Sequence, residues 1–146
     1  MSYQFQVVCP HCGVTNQLPE ERLEENPSCG KCKQELLPLA PIDVDGPLLQ
    51  KHIQQSGLPL MVDFWAPWCG PCLAFAPTYA NFAQTVGAQL RCLKLDTQAH
   101  QQAAGAFNIR SIPTLMLFRD GQEIDRVSGA MQPWQLSKWV IDHLAN

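Results

Sequence analysis

Two cysteines three residues apart, in Cys69-Gly70-Pro71-Cys72, stand at a change of pattern in the chain. Before them lies an apolar stretch, Leu58 to Phe64, with the length and composition of a buried strand. After them Leu73, Phe75, Ala76, Tyr79, Ala80, Phe82, Ala83 and Val86 recur at helical spacing. The cysteines thus sit where a strand hands over to a helix. There the first sulfur meets the free backbone N–H groups and the positive dipole end of the helix. Both favour thiolate over thiol, and the thiolate is the nucleophile of disulfide exchange. Pro71 suits a first helical turn, where a missing N–H does no harm. The spacing brings Cys72 round to the side of Cys69, within bridging reach. The chemistry this permits is attack by Cys69 on a disulfide, then release of the product by Cys72.

Two further pairs, Cys9-Pro10-His11-Cys12 and Cys29-Gly30-Lys31-Cys32, are separated by sixteen residues. That is the spacing of a structural Zn²⁺ site. Four thiolates in a tetrahedron suit zinc and leave no open position for catalysis. Gly13 and Gly30 are expected at tight turns with φ > 0 that aim two sulfurs at one ion. Lys31 and Lys33 are expected to offset the charge of the thiolates. The apolar side chains near this site are few: Phe5, Val7, Val8, Val14, Leu18, Leu23, Leu36 and Leu37. A unit of about forty residues rarely buries enough surface to fold unaided, and metal binding supplies the deficit. The alternatives are two extra redox pairs, an iron site of the same geometry, or His11 in place of one cysteine. The seventh cysteine, Cys92, lies in an apolar strand and reads as an inert buried thiol.

The 146 residues carry a net charge of −3, which argues against nucleic acid or an anionic membrane as partner. Residues 1–40 hold three Lys/Arg against five Asp/Glu and no basic stripe, unlike a nucleic-acid-binding ribbon. No apolar run reaches membrane-spanning length, and the N-terminus lacks the pattern of a signal peptide. A cytoplasmic, reducing location follows as the expectation, where paired cysteines serve metal or redox chemistry rather than structural disulfides.

Three units are expected: a metal module at 1–37, a stiff proline-containing linker at 38–41, and a catalytic domain at 42–146. In the last, Ile42 to Val44 reads as a short strand and 47–56 as a helix with Leu48, Leu49, His52 and Ile53 on one face. The central strand runs from Leu58 to Trp65, and Pro77 should kink the helix that follows. Gln89 to Asp96 is the next strand and 98–107 a short helix. Thr114 to Phe118 and Ile124 to Ser128 form a hairpin about Asp120-Gly121. A helix from Pro133 to Leu144 ends the chain's pattern. This order gives an α/β fold, a mixed sheet with helices on both faces.

The stretch Asp63-Phe64-Trp65-Ala66-Pro67-Trp68-Cys69-Gly70-Pro71-Cys72 closely resembles the active-site signature of the thioredoxin family. The resemblance extends over Phe107 to Thr114, Leu115 to Phe118 and Val127 to Ala130. The cysteine pairs ahead of it resemble the zinc-containing bacterial branch of that family, thioredoxin 2, with its small zinc-ribbon-like module. The resemblance implies a thioredoxin fold over 42–146. It implies a protein-disulfide reductase, an electron carrier recharged by an NADPH-dependent thioredoxin reductase and acting as a monomer on disulfide-containing proteins.

The same resemblance gives roles to single residues. The residues alone leave Asp63 open between a buried base with a raised pKa and an acid that caps a helix or reaches solvent. The resemblance makes it the proton relay for Cys72, with Lys94 the lysine beside it. It implies a cis bond before Pro113, presenting the Ile112 main chain to an extended substrate segment. Trp68, Gly70, Pro71, Gly129 and Ala130 would complete a low, apolar docking surface, while Trp65, Trp134 and Trp139 read as scaffold. Leu73 departs from the family, which often carries Lys or Arg there. Its lack of charge should stabilise the thiolate less. The rival functions are an oxidant or isomerase, an interaction module whose chemistry is incidental, and a zinc module that acts as a redox switch.

Overall fold

Strand β4 (Leu60–Trp65) is buried at every residue but the half-exposed Trp65, and the fold is built outward from it. The structure, a computed structural model, describes residues 3–144. β4 lies between β5 (Arg91–Asp96), which runs parallel to it, and β6 (Thr114–Arg119), which runs antiparallel. With β3 (Ile42–Asp43) beside β5 and β7 (Gln122–Ser128) beside β6, the five-stranded order is β3-β5-β4-β6-β7. Side chains alternate across a pleated strand, so β4 feeds two cores. Leu60, Val62 and Phe64 pack with Leu49 and Ile53 of helix α1 (Gly46–Gln55). Met61 packs instead with Phe75, Tyr79 and Ala83 of α2 (Gly70–Val86) and Leu136, Trp139 and Val140 of α4 (Pro133–Leu144). Asp63, two residues on from Met61, faces this second layer.

Local signals set the element ends. Asp45 caps α1, its carboxylate accepting the Leu48 N–H at 2.8 Å. α2 passes through Pro77 as one helix. The expected helix over 98–107 is shorter, α3 at Gln101–Ala106. Asp96 accounts for the difference, because its Oδ1 accepts the N–H groups of Gln98 and Ala99 and holds that stretch as a turn. Asp120 and Gly121 both have positive φ, 53° and 78°, as a two-residue hairpin turn of type I′ requires.

Ahead of this domain, β1 (Gln4–Val8) and β2 (Thr15–Pro19) form an antiparallel pair of their own, which the sequence pattern did not suggest. Each cysteine pair closes a tight knuckle. The N–H of Gly13 donates to the Cys9 carbonyl and that of Lys33 to the Cys29 carbonyl, both at 3.0 Å. The positive φ falls after the second cysteine of each pair, at Gly13 (79°) and Lys33 (68°). The expectation for Gly30 is therefore corrected: the turn places the left-handed residue one step beyond the pair.

The two sheets meet through one continuous apolar cluster. Val7, Leu18, Leu23, Leu36 and Leu37 pack with Leu58 and Ala88 of the larger domain. Gly57 N–H donates to the Gln6 carbonyl at 2.7 Å. A Cβ at Gly57 would lie 3.0 Å from the Gln6 nitrogen, so the two backbones approach too closely for a side chain. Gly57→Ala should therefore cost about 1–3 kcal/mol by overpacking. Limited proteolysis is the readout: cleavage near 38–41 should accelerate while α2 stays protected.

Candidate active site and metal centre

Cys69 and Cys72 form a disulfide with Cα atoms 5.2 Å apart. Cys69 occupies the N-cap of α2, with extended backbone angles, and its Sγ accepts the Cys72 N–H at 3.2 Å. This is the contact expected to hold a thiolate: a free N–H at the positive end of a helix, aimed at sulfur. Both sulfurs are buried in a small cluster with Ala66, against Trp65 and Ile112.

The Ile112–Pro113 bond is cis, and the Ile112 carbonyl oxygen lies 3.8 Å from Cys69 Sγ. Gly129 N–H donates to the Pro113 carbonyl at 2.8 Å, which brings Gly129 and Ala130 to the same rim. Gly129 has φ 101°, a conformation that disfavours any side chain. A Cβ at Gly70 would meet nothing within 4 Å, so that face is open. Trp68 is 70% exposed and Leu73 also projects into solvent. The structure thus brings Trp68, Gly70, Pro71, Ile112, Pro113, Gly129 and Ala130 around one disulfide. Trp134 departs from the scaffold role expected of it, since at the start of α4 it is 66% exposed.

Asp63 is only 1% exposed, and its Oδ1 has no hydrogen-bond partner among the described residues. Burial pushes its pKa up to about 7, while the Lys94 charge draws it down. Lys94 stands opposite Asp63 in the β4–β5 register. Its Nζ lies over the Trp65 ring, 4.3 Å from the centroid. Cation–π attraction holds the ammonium there, with the carboxylate only partly compensated. Sequence reasoning placed Trp65 in the scaffold and missed this contact. The available signal was register, because Trp65 lies two residues from Asp63 and so on the same face. Cys92 is buried with its pKa pushed up to about 12, mainly by burial, so it remains a neutral thiol.

In the smaller module, Cys9, Cys12, Cys29 and Cys32 bring their sulfurs within 4.8 Å of one another. Cys9–Cys32 and Cys12–Cys29 stand at 3.6 Å. A tetrahedron with Zn–S bonds of about 2.3 Å has edges of about 3.8 Å, so the cage fits that ion. His11 and Cys12 direct backbone N–H groups at Cys9 Sγ, and Lys31 directs one at Cys29 Sγ, each at 3.4 Å. The Asn16 side chain adds a fourth donor, at 3.5 Å from Cys29 Sγ. Donors from the Cys32 backbone and Asn16 hold the Cys29 thiol down to about 5. Asn16 lies outside both pairs and no spacing rule pointed to it.

The thioredoxin family model matches residues 40–142. This chain belongs to the thioredoxin family. A second model, described as the N-terminal region of thioredoxin 2 and named for its zinc ribbon, matches residues 8–34. Thioredoxin C-3 of Corynebacterium nephridii is 42% identical over 138 residues, covering 94% of each chain. Thioredoxin 1 of Synechococcus elongatus is 42% identical over 95 residues, 65% of this chain and 89% of its own. Among solved structures, a mutant thioredoxin from Halobacterium salinarum superposes with a TM-score of 0.66 at 29% identity. It covers 73% of this chain and 93% of its own. A Malassezia sympodialis thioredoxin gives 0.64 at 31% identity, covering 75% and 96%. The fold is thus a thioredoxin fold preceded by a zinc-ribbon module with four clustered cysteines. The protein is a thiol-disulfide oxidoreductase of that family with protein-disulfide reductase activity, and Cys69–Cys72 fits its active-site pair.

The pH dependence of stability follows from Asp63. Its folded pKa, about 7, lies above the unfolded value near 3.8. Between those values the folded state holds the extra proton, so stability falls as pH rises and levels off above pH 7. Asp63→Asn removes that loss. It should raise stability above pH 7 by up to about 4 kcal/mol, from roughly three pKa units at 1.36 kcal/mol each. The gain should vanish near pH 4. Urea unfolding of oxidised protein across this pH range measures it.

Proposed function

We propose that the protein is a cytoplasmic, monomeric reductase of many protein disulfides, recharged by an NADPH-dependent thioredoxin reductase and so a carrier of electrons. Our division is 1–37 for the zinc-binding module, 38–41 for the linker and 42–146 for the thioredoxin domain. The observation that carries the reading is the disulfide at the α2 N-terminus, 3.8 Å from the carbonyl that precedes a cis-proline. It joins a nucleophile to a main-chain rail.

In the reduced protein the Cys69 thiolate attacks one sulfur of a substrate disulfide. A Cys69–substrate bond forms, the substrate S–S bond breaks, and the first substrate thiolate leaves. Cys72 then gives its proton to the Asp63 carboxylate and attacks Cys69 Sγ. The mixed disulfide breaks, the second substrate thiolate leaves, and Cys69–Cys72 is bridged. Two electrons pass to the substrate, and its thiolates take up protons from Asp63 and solvent. A carboxyl pKa near 7 suits a base working at neutral pH. Lys94, held over Trp65, tunes that carboxylate through its charge.

Substrate binds through main-chain groups at Ile112 and Pro113, with Trp68, Gly70, Pro71, Gly129 and Ala130 as a low rim. Main-chain pairing reads little sequence, which supports broad specificity. The smaller module holds a structural Zn²⁺ through Cys9, Cys12, Cys29 and Cys32. Bound there, the ion adds folding energy to a module with little core, and four thiolates leave no coordination position for catalysis.

Cys72→Ser removes the resolving thiol and should trap many mixed disulfides on Cys69, identifiable by mass spectrometry. A lone partner would point instead to a dedicated role, and none would sink the reductase reading. Metal analysis of the parent chain should return one zinc. A strong chelator should remove it and unfold 1–37 while thiol-disulfide exchange at Cys69 persists, as circular dichroism and insulin reduction would report.

A further inference from the structure

Arg91, the first residue of β5, is a charged side chain in an unexpected place. It is 4% exposed. Its Nη2 donates to the Leu36 carbonyl at 2.8 Å, across the junction between the two modules. Its Nη1 has no hydrogen-bond partner among the described residues. A guanidinium taken out of water needs an anion to offset a desolvation cost of several kcal/mol.

The groups that face it limit the choice. His52 of α1 is also buried, and its Nε2 also lacks a partner among the described residues. Burial, then the Arg91 charge, lowers the His52 pKa to about 3, so the ring stays neutral. Burial lowers the Arg91 pKa to about 10, and the groups whose negative charge would draw it back up are the sulfurs of Cys9 and Cys92. Cys92 is a neutral thiol. Cys9 belongs to the four-cysteine cage. With Cys29 it is buried in the cluster that also contains Leu36, Leu58 and Ala88, the apolar surround of the Arg91 junction.

The cage needs such a charge. Four thiolates around one divalent ion carry a formal charge of about −2. Lys31 and Lys33, the cations expected to offset it, are exposed, and Lys33 Nζ is committed to the Gly30 carbonyl at 2.8 Å. Surface ammonium groups in high dielectric neutralise a partly buried anion poorly.

We propose that Arg91 is the counter-ion of the four-cysteine zinc centre, a buried positive charge that the thioredoxin domain supplies to the smaller module. The inference rests on the zinc reading above and goes beyond it. The metal site is complete only when the two modules are docked. By linkage, whatever weakens docking weakens metal retention, and loss of metal weakens docking in equal measure.

The test is zinc retention by the full-length reduced chain at one fixed pH, in competition with a chromogenic chelator. Arg91→Gln keeps a donor for the Leu36 carbonyl and removes the charge. Arg91→Lys keeps the charge and removes the planar fork. Arg91→Met removes both. A counter-ion role predicts zinc affinity about 10–100-fold weaker in the Gln and Met variants, the size typical of losing an outer-shell partner. The Lys variant should stay within about threefold of the parent, as should the double variant Lys31→Ala/Lys33→Ala. Equal retention by the Gln and Lys variants would overturn the proposal, leaving Arg91 a hydrogen bond at a junction. So would loss in the Lys variant as large as in the Gln variant. If the Met variant does not fold, the Gln–Lys comparison decides alone. A Co²⁺-loaded series gives a second readout, since thiolate-to-metal charge-transfer bands should shift in the Gln variant and not in the Lys variant. A parent chain without zinc would overturn the zinc reading and this proposal together. A zinc-loaded parent with indifferent variants would overturn this proposal alone.

Discussion

The sheet leaves no wet face to its central strand. β4 is paired on both edges and covered on both sides, so every residue it carries before Trp65 is removed from water. Five of its six residues are apolar, and they add to the hydrophobic burial that is the dominant favourable term in folding. The sixth is Asp63. The same packing that stabilises the sheet makes a carboxylate there costly, and its proton affinity rises until it titrates near neutral pH. An acid with a raised pKa is thus a by-product of core packing. Asp63 shares its face with α2, whose first turn carries the cysteine pair.

The cysteine pair depends on the same strand in another way. β4 ends at Trp65, and the chain must reach α2 within a few residues. Cys69 therefore falls at the helix end, where orphan N–H groups are available, rather than inside a turn of helix. Antiparallel β6, on the other edge of β4, begins at Thr114 directly after the cis-proline. Its Thr114 hydroxyl donates to the Ser111 carbonyl at 2.6 Å and fixes the loop. The cysteine pair and the cis-proline main chain thus meet beyond the same end of the central strands, the Ile112 carbonyl oxygen 3.8 Å from Cys69 Sγ.

The smaller module follows a different economy. Its two short strands and few apolar side chains do not make a core of their own. Several of them pack onto Leu58 and Ala88 instead. Ordered N–H donors point at sulfur before any ion is considered, so the cage is built for anionic ligands. Arg91 at the junction continues that logic from the other side.

Much of this was legible in the residues because the signals are local. Cysteine spacing announced both sites, since a three-residue gap fixes which sulfurs can meet. Strand and helix periods gave the order of elements in the catalytic domain, and Asp120-Gly121 gave its hairpin. What needed the tertiary structure was anything set by distant neighbours. Residues 98–107 carry helical spacing, yet Asp96 captures two of the N–H groups at their start. The first hairpin lacks strong alternation and is held by packing on another domain. Lys94 reads as a lysine beside an acid, but its seat over Trp65 comes from strand register. Arg91 opens a strand, and its neighbours along the chain carry no sign that the other module covers it. Charge and period are written in the sequence. Burial belongs to the whole fold, and burial raised the pKa of an ordinary aspartate and lowered that of an ordinary arginine.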